Sequence, residues 1–224
     1  MAAHRDPPPF DLGHTLEGTD ADGNLINKEV VGKVYTFPSY SKITSSPRQP
    51  RPKRSEAQVT CVAMRNVSGS TLYGKRLASL QSAAGPIAPC NVDGYATTLA
   101  QDGVVFIDEF LATAGVAQND IFWAVVRGPV LVLTPATTAD VNGNITYGTP
   151  LVACTAYAAG ATTAGSTLGR VSNVTLYTGV TGATAGITQN AAMASNVIAR
   201  ALSSVTTGNT NSDLLVNACL RMLW

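Results

Sequence analysis

The chain has 224 residues, of which 45% are hydrophobic and only 13% charged, and its formal net charge is +1. This length and apolar fraction predict a globular fold with a substantial core rather than a disordered chain. The small net charge argues against nucleic-acid binding through overall electrostatics, and no apolar run of about 18 residues predicts a membrane span. Residues 1–10 combine charged side chains with three prolines where a secretory signal needs an apolar core, which argues against classical secretion.

Residues 1–58 are predicted to form an extended N-terminal arm. They contain seven of the chain's 12 prolines, which disfavour helices and interrupt central strands. Leu25-Ile26 with Val30-Val31, and then Val34–Phe37, have strand character, so a short hairpin is expected within the arm. The preceding Asp20-Ala-Asp-Gly-Asn24 is similar to the start of a calcium loop. Its glycine comes two places early and Val31 replaces the bidentate glutamate, so a turn is predicted instead.

Charge is distributed unevenly along the arm and just beyond it. Residues 1–33 carry three basic and six acidic side chains, a net charge of −3. Residues 42–76 carry eight basic side chains against Glu56 alone, a net charge of +7. The candidate partner-contact residues are Arg48, Arg51, Lys53 and Arg54. We expect this basic stretch to lie on an acidic protein surface, with a solvated loop as the alternative. The interleaved prolines and the lack of stacking aromatics disfavour a nucleic-acid partner.

Residues 59–224 are predicted to form one β-rich globular domain. Its first half contains apolar, β-branched runs that predict strands: Val59–Ala63, Val104–Ile107, Ile121–Val126 and Val130–Thr134. Arg127-Gly-Pro129 between the last two runs predicts either a hairpin or one bent strand with a bulge. Residues 75–84 are compatible with a short helix that ends before Gly85-Pro86.

From residue 136 onward the chain has only five charged residues, and Thr, Ala and Gly dominate. Alternation over 169–177 and 214–223 predicts strands, whereas 190–203 is compatible with either a strand or a short helix. The fold class predicted is mainly β, an antiparallel β-sandwich or barrel with an extended Pro-rich N-terminal arm. Five apolar side chains are expected in its core: Phe122, Trp123, Val125, Val130 and Val132.

Nucleophiles and metal ligands are dispersed along the sequence. The four cysteines, Cys61, Cys90, Cys154 and Cys219, lie at least 29 residues apart, which predicts buried reduced thiols rather than a zinc site. The only histidines are His4 and His14, both in the N-terminal arm. Hydrolase, phosphate-loop, dinucleotide and zincin motifs are absent from the sequence. We therefore predict no catalytic residues, no metal and no cofactor.

Four acidic residues and three Asn-x-Ser/Thr sequences could indicate function, but a structural or chance origin is favoured for both. Four acidic residues are the basis of a hydrolase alternative with glycosidic or metal chemistry: Asp102, Asp108, Glu109 and Asp120. Solvated loop charges, or partners for Arg127, are the favoured interpretation because nothing in their spacing demands a cluster. Three asparagines match the glycosylation acceptor pattern, which we interpret as chance: Asn66, Asn144 and Asn173.

Three segments resemble bacteriophage head decoration proteins, also called capsid cement proteins. The first is Val62-Ala-Met-Arg-Asn-Val-Ser-Gly69 leading to Lys75-Arg-Leu77. The second is Gly115-Val-Ala-Gln-Asn-Asp-Ile-Phe-Trp-Ala-Val-Val-Arg-Gly-Pro129, and the third is Val197-Ile-Ala-Arg-Ala-Leu202. The resemblance covers roughly residues 60–224 and implies a β-rich, often trimeric protein without catalytic activity.

The same resemblance implies a virion protein on the capsid exterior that is made in the host cytoplasm. It would bind the major capsid protein and bridge neighbouring capsomers, as a homo-oligomer, with no membrane partner. A surface poor in charge and rich in Thr, Ala and Gly fits this interpretation, because burial in an assembly removes the need for a highly charged surface. The alternatives are another virion subunit, such as a major capsid or tail tube protein, and a carbohydrate-binding or adhesive β domain.

Overall fold

The computed structural model of the chain describes residues 8–38, 40–41, 51–52, 58–81, 90–96, 103–134, 145–153, 169–173, 197–205 and 213–219. Within these ranges the protein is mainly β and has no α-helix, hence no helical segment able to cross a membrane. The predicted mainly β fold class is confirmed, whereas the extended N-terminal arm stays a prediction. Strand pairings are antiparallel throughout the described ranges except between Gln58–Asn66 and Asn91–Tyr95, which run parallel, so the main sheet is mixed.

Twelve strands are present in the described residues. They are β1 (Val34–Pro38), β2 (Tyr40–Ser41), β3 (Arg51–Pro52), β4 (Gln58–Asn66), β5 (Leu77–Leu80), β6 (Asn91–Tyr95), β7 (Val104–Ile107), β8 (Ile121–Leu133), β9 (Pro150–Ala153), β10 (Val171–Asn173), β11 (Ala199–Ala201) and β12 (Asp213–Cys219). Ten of them form one sheet in the order β1-β4-β6-β5-β7-β8-β12-β11-β9-β10, and β2 pairs separately with β3.

Five of these strands close into a barrel. β4 pairs with β6, β6 with β5, β5 with β7 and β7 with β8, and β8 pairs back onto β4. Because side chains alternate between the two faces of a strand, each barrel strand sends one set of residues inward and the other set outward. The inward set forms one apolar cluster: Val62, Met64, Ala78, Val92, Val105, Ile107, Phe122, Ala124 and Val126, with Leu72, Cys90 and Val116.

The outward set belongs to a second, larger apolar cluster. It joins Cys61, Ala63, Trp123 and Val125 of β4 and β8 to residues of the C-terminal strands, such as Leu214. Where they pair with each other, strands β4 and β8 are thus buried on both faces, which explains the unbroken apolar runs Cys61–Met64 and Ile121–Val126. All five predicted core residues are buried: Phe122, Trp123, Val125, Val130 and Val132.

β8 is a single bent strand of 13 residues, so of the two predictions for Arg127–Pro129 the bent strand is the correct one. The β4–β8 register shifts between Thr60 and Cys61, where β8 has one extra residue, as in a β-bulge. Gly128 has φ +103° and lies against Gln58, so the bend requires glycine there. Residues 121–127 pair with β4 and residues 127–133 with β12, so this strand connects the barrel to the C-terminal strands.

The helix predicted over 75–84 is wrong for its described residues. Leu77–Leu80 form β5, which lies between β6 and β7 with Leu77 and Ala78 fully buried. Pairing on both edges of the strand outweighs the local preference for a short helix. In 190–203 the described part contains β11, paired with β12 and β9, so a strand is the correct alternative there.

Candidate interaction surface

The N-terminal strap, defined as residues 8–26, packs against the outside of the barrel. The Phe10 ring stacks on Trp123 of β8 with ring centroids 4.7 Å apart, and the Trp123 indole N–H donates to the Phe10 carbonyl at 2.9 Å. Tyr35 and Phe37 of β1 meet the same indole edge-on at 5.6 and 5.3 Å. Such aromatic pairs contribute about 0.5–1.5 kcal/mol each beyond buried area. The strap and β1 therefore complete the outer apolar cluster.

The barrel holds the strap mainly through the strap's backbone. Leu16 and Ile121 exchange two backbone hydrogen bonds at 2.9 and 2.8 Å, which extends the start of β8 by one bridge. The Gly13 N–H donates to the Asp108 carboxylate and the Gly18 N–H to the Asp120 carboxylate. In the described part of the chain, these hydrogen bonds between strap and barrel are therefore made by backbone groups of the strap, to backbone groups and carboxylates of the barrel and its loops.

Arg65 is the main polar anchor of the strap. This β4 side chain is 4% exposed, and its guanidinium donates to the carbonyls of Gly18 at 2.8 Å, Asn119 at 3.0 Å and Ile26 at 2.8 Å. Burial lowers the pKa of Arg65 from its ordinary value, while the nearby Asp120 carboxylate opposes the shift. The planar guanidinium can reach three carbonyls at once because its N–H groups are fixed in a fork.

Asp120 lies at the same junction, and its pKa is raised above the ordinary value. Burial is the largest cause and raises the pKa of Asp120, and the neighbouring Glu17 raises it further. Hydrogen bonds from the Gly18 and Ala117 N–H groups and the positive charge of Arg65 act in the opposite direction. The site therefore favours the neutral carboxylic acid relative to an exposed aspartate.

The acidic residues of the hydrolase alternative have separate structural partners. Asp108 is 1% exposed and accepts hydrogen bonds from the N–H groups of Gly13 and Phe110. Glu109 accepts a hydrogen bond from the Leu131 N–H, and Asp120 binds the strap. Asp102 lies outside the described residues. Within the described ranges, no three His, Cys, Asp or Glu side chains are grouped as a metal would require.

A turn forms at Asp20–Asn24, as predicted. The Asp20 carboxylate accepts hydrogen bonds from the N–H groups of Asp22 and Asn24 and from the Asn24 side-chain amide. The two bonds from Asn24 are the main cause of the lowered pKa of Asp20. Around this turn the strap presents an acidic outer surface. Its exposed carboxylates, together with that of Glu29 just beyond it, are Asp11, Glu17, Asp20, Asp22 and Glu29.

The predicted basic contact stretch is placed only in part. Arg51 lies in β3, opposite Ser41 of β2. Arg48, Lys53 and Arg54 lie outside the described residues, and their role as contact residues stays a prediction. The boundary drawn at residue 58 also stays a prediction, although the described residues 8–38 contribute Val30 and Phe37 to the buried core.

Four large apolar side chains are exposed among the described residues: Leu25, Val34, Tyr73 and Tyr147. Val34 is 54% exposed and lies at the start of β1, and Leu25 is 44% exposed next to the Asp20–Asn24 turn. Both belong to the N-terminal region, so apolar and acidic groups occur together there.

No pattern in the sequence indicates that Arg65 or Phe10 positions the arm. Both make contacts more than 38 residues away along the chain, and no local pattern reveals such pairings. Cys61 and Cys90 are buried free thiols as predicted, and burial raises the pKa of both. Asn66 is fully buried with its amide bonded to the Ser70, Val116 and Ala117 carbonyls, which agrees with a chance match to the glycosylation pattern.

Neither models of known protein families nor curated proteins match this chain.

Proposed function

We propose that the chain is a structural virion protein that binds the outer surface of a capsid and cements neighbouring capsomers. The observation that carries this proposal is the resemblance of three segments to phage head decoration proteins. Two of those segments include the second half of β4 and the first part of β8, which pair with each other along the barrel, and the third contains β11. The resemblance thus falls on the strands that form the framework of the fold.

The charge distribution supports a role in assembly. The acidic carboxylates of the N-terminal region are exposed, and the basic stretch of residues 48–54 follows in the same chain. Complementary charge of this kind increases association rates and orients partners. Repeated weak contacts across capsomer seams add up, because they must be broken together before capsomers separate.

The first test neutralises the basic stretch. The variant carries Arg48→Gln, Arg51→Gln, Lys53→Gln and Arg54→Gln, and its binding to shells assembled without this chain is measured by co-sedimentation. At about 0.5 kcal/mol for each exposed ion pair, we expect a loss of roughly 30-fold in affinity that disappears at high salt.

The matched control removes four exposed cations elsewhere: Lys28, Lys33, Arg127 and Arg200, each changed to Gln. It has the same net charge as the test variant, so overall electrostatics cannot explain a difference between the two. Equal binding by wild-type protein and both variants would contradict the assigned contact, and no binding by wild-type protein would contradict the function itself. These substitutions are preferable to deleting residues 1–54, which would also remove Phe10 and β1 from the fold.

A further inference from the structure

Strand β1 lies at one end of the main sheet. It pairs with β4 along one edge, from Val34 opposite Val62 to Pro38 opposite Gln58. No described residue pairs with its other edge. An open strand edge presents unpaired N–H and C=O groups, which makes it a potential pairing site for another chain.

The register shows which backbone groups face outward. The Ala63 N–H donates to the Lys33 carbonyl, and the alternation along the strand then places the pairs that exchange hydrogen bonds with β4 at Tyr35 and Phe37. In antiparallel pairs these residues alternate with ones whose N–H and C=O groups point away. Val34 and Thr36 therefore direct their backbone groups away from β4, along the edge that no described residue pairs with, whereas Pro38 has no N–H to present.

The edge lacks most of the features that protect such strands. Natural edges carry charged side chains, bulges or prolines along their length. The segment Val34–Phe37 is uncharged, its pairing with β4 is regular, and the exposed side chains are the β-branched Val34 and Thr36. Pro38 limits pairing only at the C-terminal end of the strand.

We propose that β1 pairs antiparallel with β1 of a second copy, about a two-fold axis at Tyr35. In this register Val34 lies opposite Thr36 of the other copy, and Thr36 opposite its Val34. All outward N–H and C=O groups of these two residues are then paired, giving four hydrogen bonds. Lys33 lies opposite a phenylalanine rather than opposite its own counterpart, so like charges do not face each other.

The side chains on both faces of the strand are compatible with this pairing. On the outer face, Val34 and Thr36 form β-branched cross-strand pairs. On the inner face, the half-buried Tyr35, which already contacts Trp123, lies beside the same residue of the other copy. The contact goes beyond the proposed function, because a two-fold pairing joins copies whether or not they bind a shell, and it would link trimers rather than form one.

The test measures self-association of the full-length chain by sedimentation from micromolar to about 1 mM. Two variants block the edge: Thr36→Pro removes an outward N–H that β4 does not use, and Val34→Lys introduces a charge. Leu25→Lys is the control, because Leu25 is exposed to a similar extent but lies off the edge. We expect the association constant to fall tenfold or more in both edge variants and to stay unchanged in the control.

Amide hydrogen exchange tests the register independently of any variant. Exchange at Val34 and Thr36 should slow as concentration rises, whereas exchange at Tyr35 and Phe37 should not change because β4 already protects their N–H groups. A wild-type chain that stays monomeric throughout the range overturns the proposal. The proposal is also overturned if the Val34→Lys variant still forms the oligomer and amide exchange at Val34 and Thr36 of the wild-type chain does not depend on concentration.

Discussion

Gly18 leaves no room for a side chain at the point where the strap crosses the barrel. A Cβ atom built there would lie 1.6 Å from the Asn119 carbonyl oxygen and 2.7 Å from a guanidinium nitrogen of Arg65. Both neighbours are held by further hydrogen bonds, so neither can move without breaking the anchor. The requirement for glycine at this position comes from close approach of two backbones.

Gly18→Ala is therefore expected to destabilise the fold by about 3 kcal/mol, as measured by urea unfolding, because a clash and a displaced anchor combine. Gly23→Ala is the control, since a Cβ there meets nothing within 4 Å and only the positive φ of +82° opposes it. Its cost should be about 1 kcal/mol. Equal costs for the two variants would contradict the packing described at Gly18.

Asp120→Asn should change how stability depends on pH. The pKa of Asp120 is raised by burial above its ordinary value of 3.8, so folding favours the protonated form. The stabilisation of the folded state by the protonated Asp120 is fully present below pH 3.8, the ordinary pKa. It is lost as pH rises through the raised pKa of the folded state. The wild-type protein should thus lose stability relative to Asp120→Asn over this window, as measured by urea unfolding from pH 3 to 7. If the wild-type protein instead gained stability relative to Asp120→Asn as pH rises, burial would not be the main influence on the Asp120 pKa.

At the level of secondary-structure elements, β4 connects the strap to the barrel through Arg65. The Arg65 guanidinium donates to the Gly18 and Ile26 carbonyls of the strap and to the Asn119 carbonyl in the turn before β8. Removing such a donor leaves buried acceptors unpaired, which costs more than the hydrogen bonds contribute when made. The anchor therefore makes strap attachment and barrel stability interdependent.

Arg65→Lys should lower the free energy of unfolding by about 2 kcal/mol, because one ammonium cannot span the three carbonyls. Amide exchange at Ile26, whose N–H donates to Gly18, should accelerate. Arg200→Lys is the control, since the exposed Arg200 makes one bond of 3.3 Å to Gly148. No difference between the two variants would show that the anchor is not needed.

The sequence predicted individual elements best where periodicity and apolar runs were strong. The run Val104–Ile107 coincides with β7, and the run around Phe122 with the first half of β8. Residues 77–80 form β5 instead of the predicted helix because they pair with β6 and β7, and no local window of sequence contains those partners. The attachment of Phe10 to Trp123, 113 residues away, was missed for the same reason.

At the scale of the whole molecule, closure of the barrel explains the apolar runs in its two longest strands. Strand segments buried on both faces need continuous apolar sequence, as in Cys61–Met64 of β4 and Ile121–Val126 of β8. The ion pair between Lys75, just before β5, and Asp213 of β12 adds a contact between the barrel and the C-terminal strands. The basic stretch of residues 48–54 could be predicted only as a cluster of positive charge, because the sequence does not specify which partner surface it contacts.

The proposed role in a virion is tested most directly by the copy number of this chain in purified particles. Quantitative mass spectrometry would compare its abundance with that of the most abundant shell protein. A structural subunit bound at repeated positions should be present at an equal or simple fractional ratio to that protein. Absence of the chain from particles, or trace amounts without a fixed ratio, would contradict the proposed function.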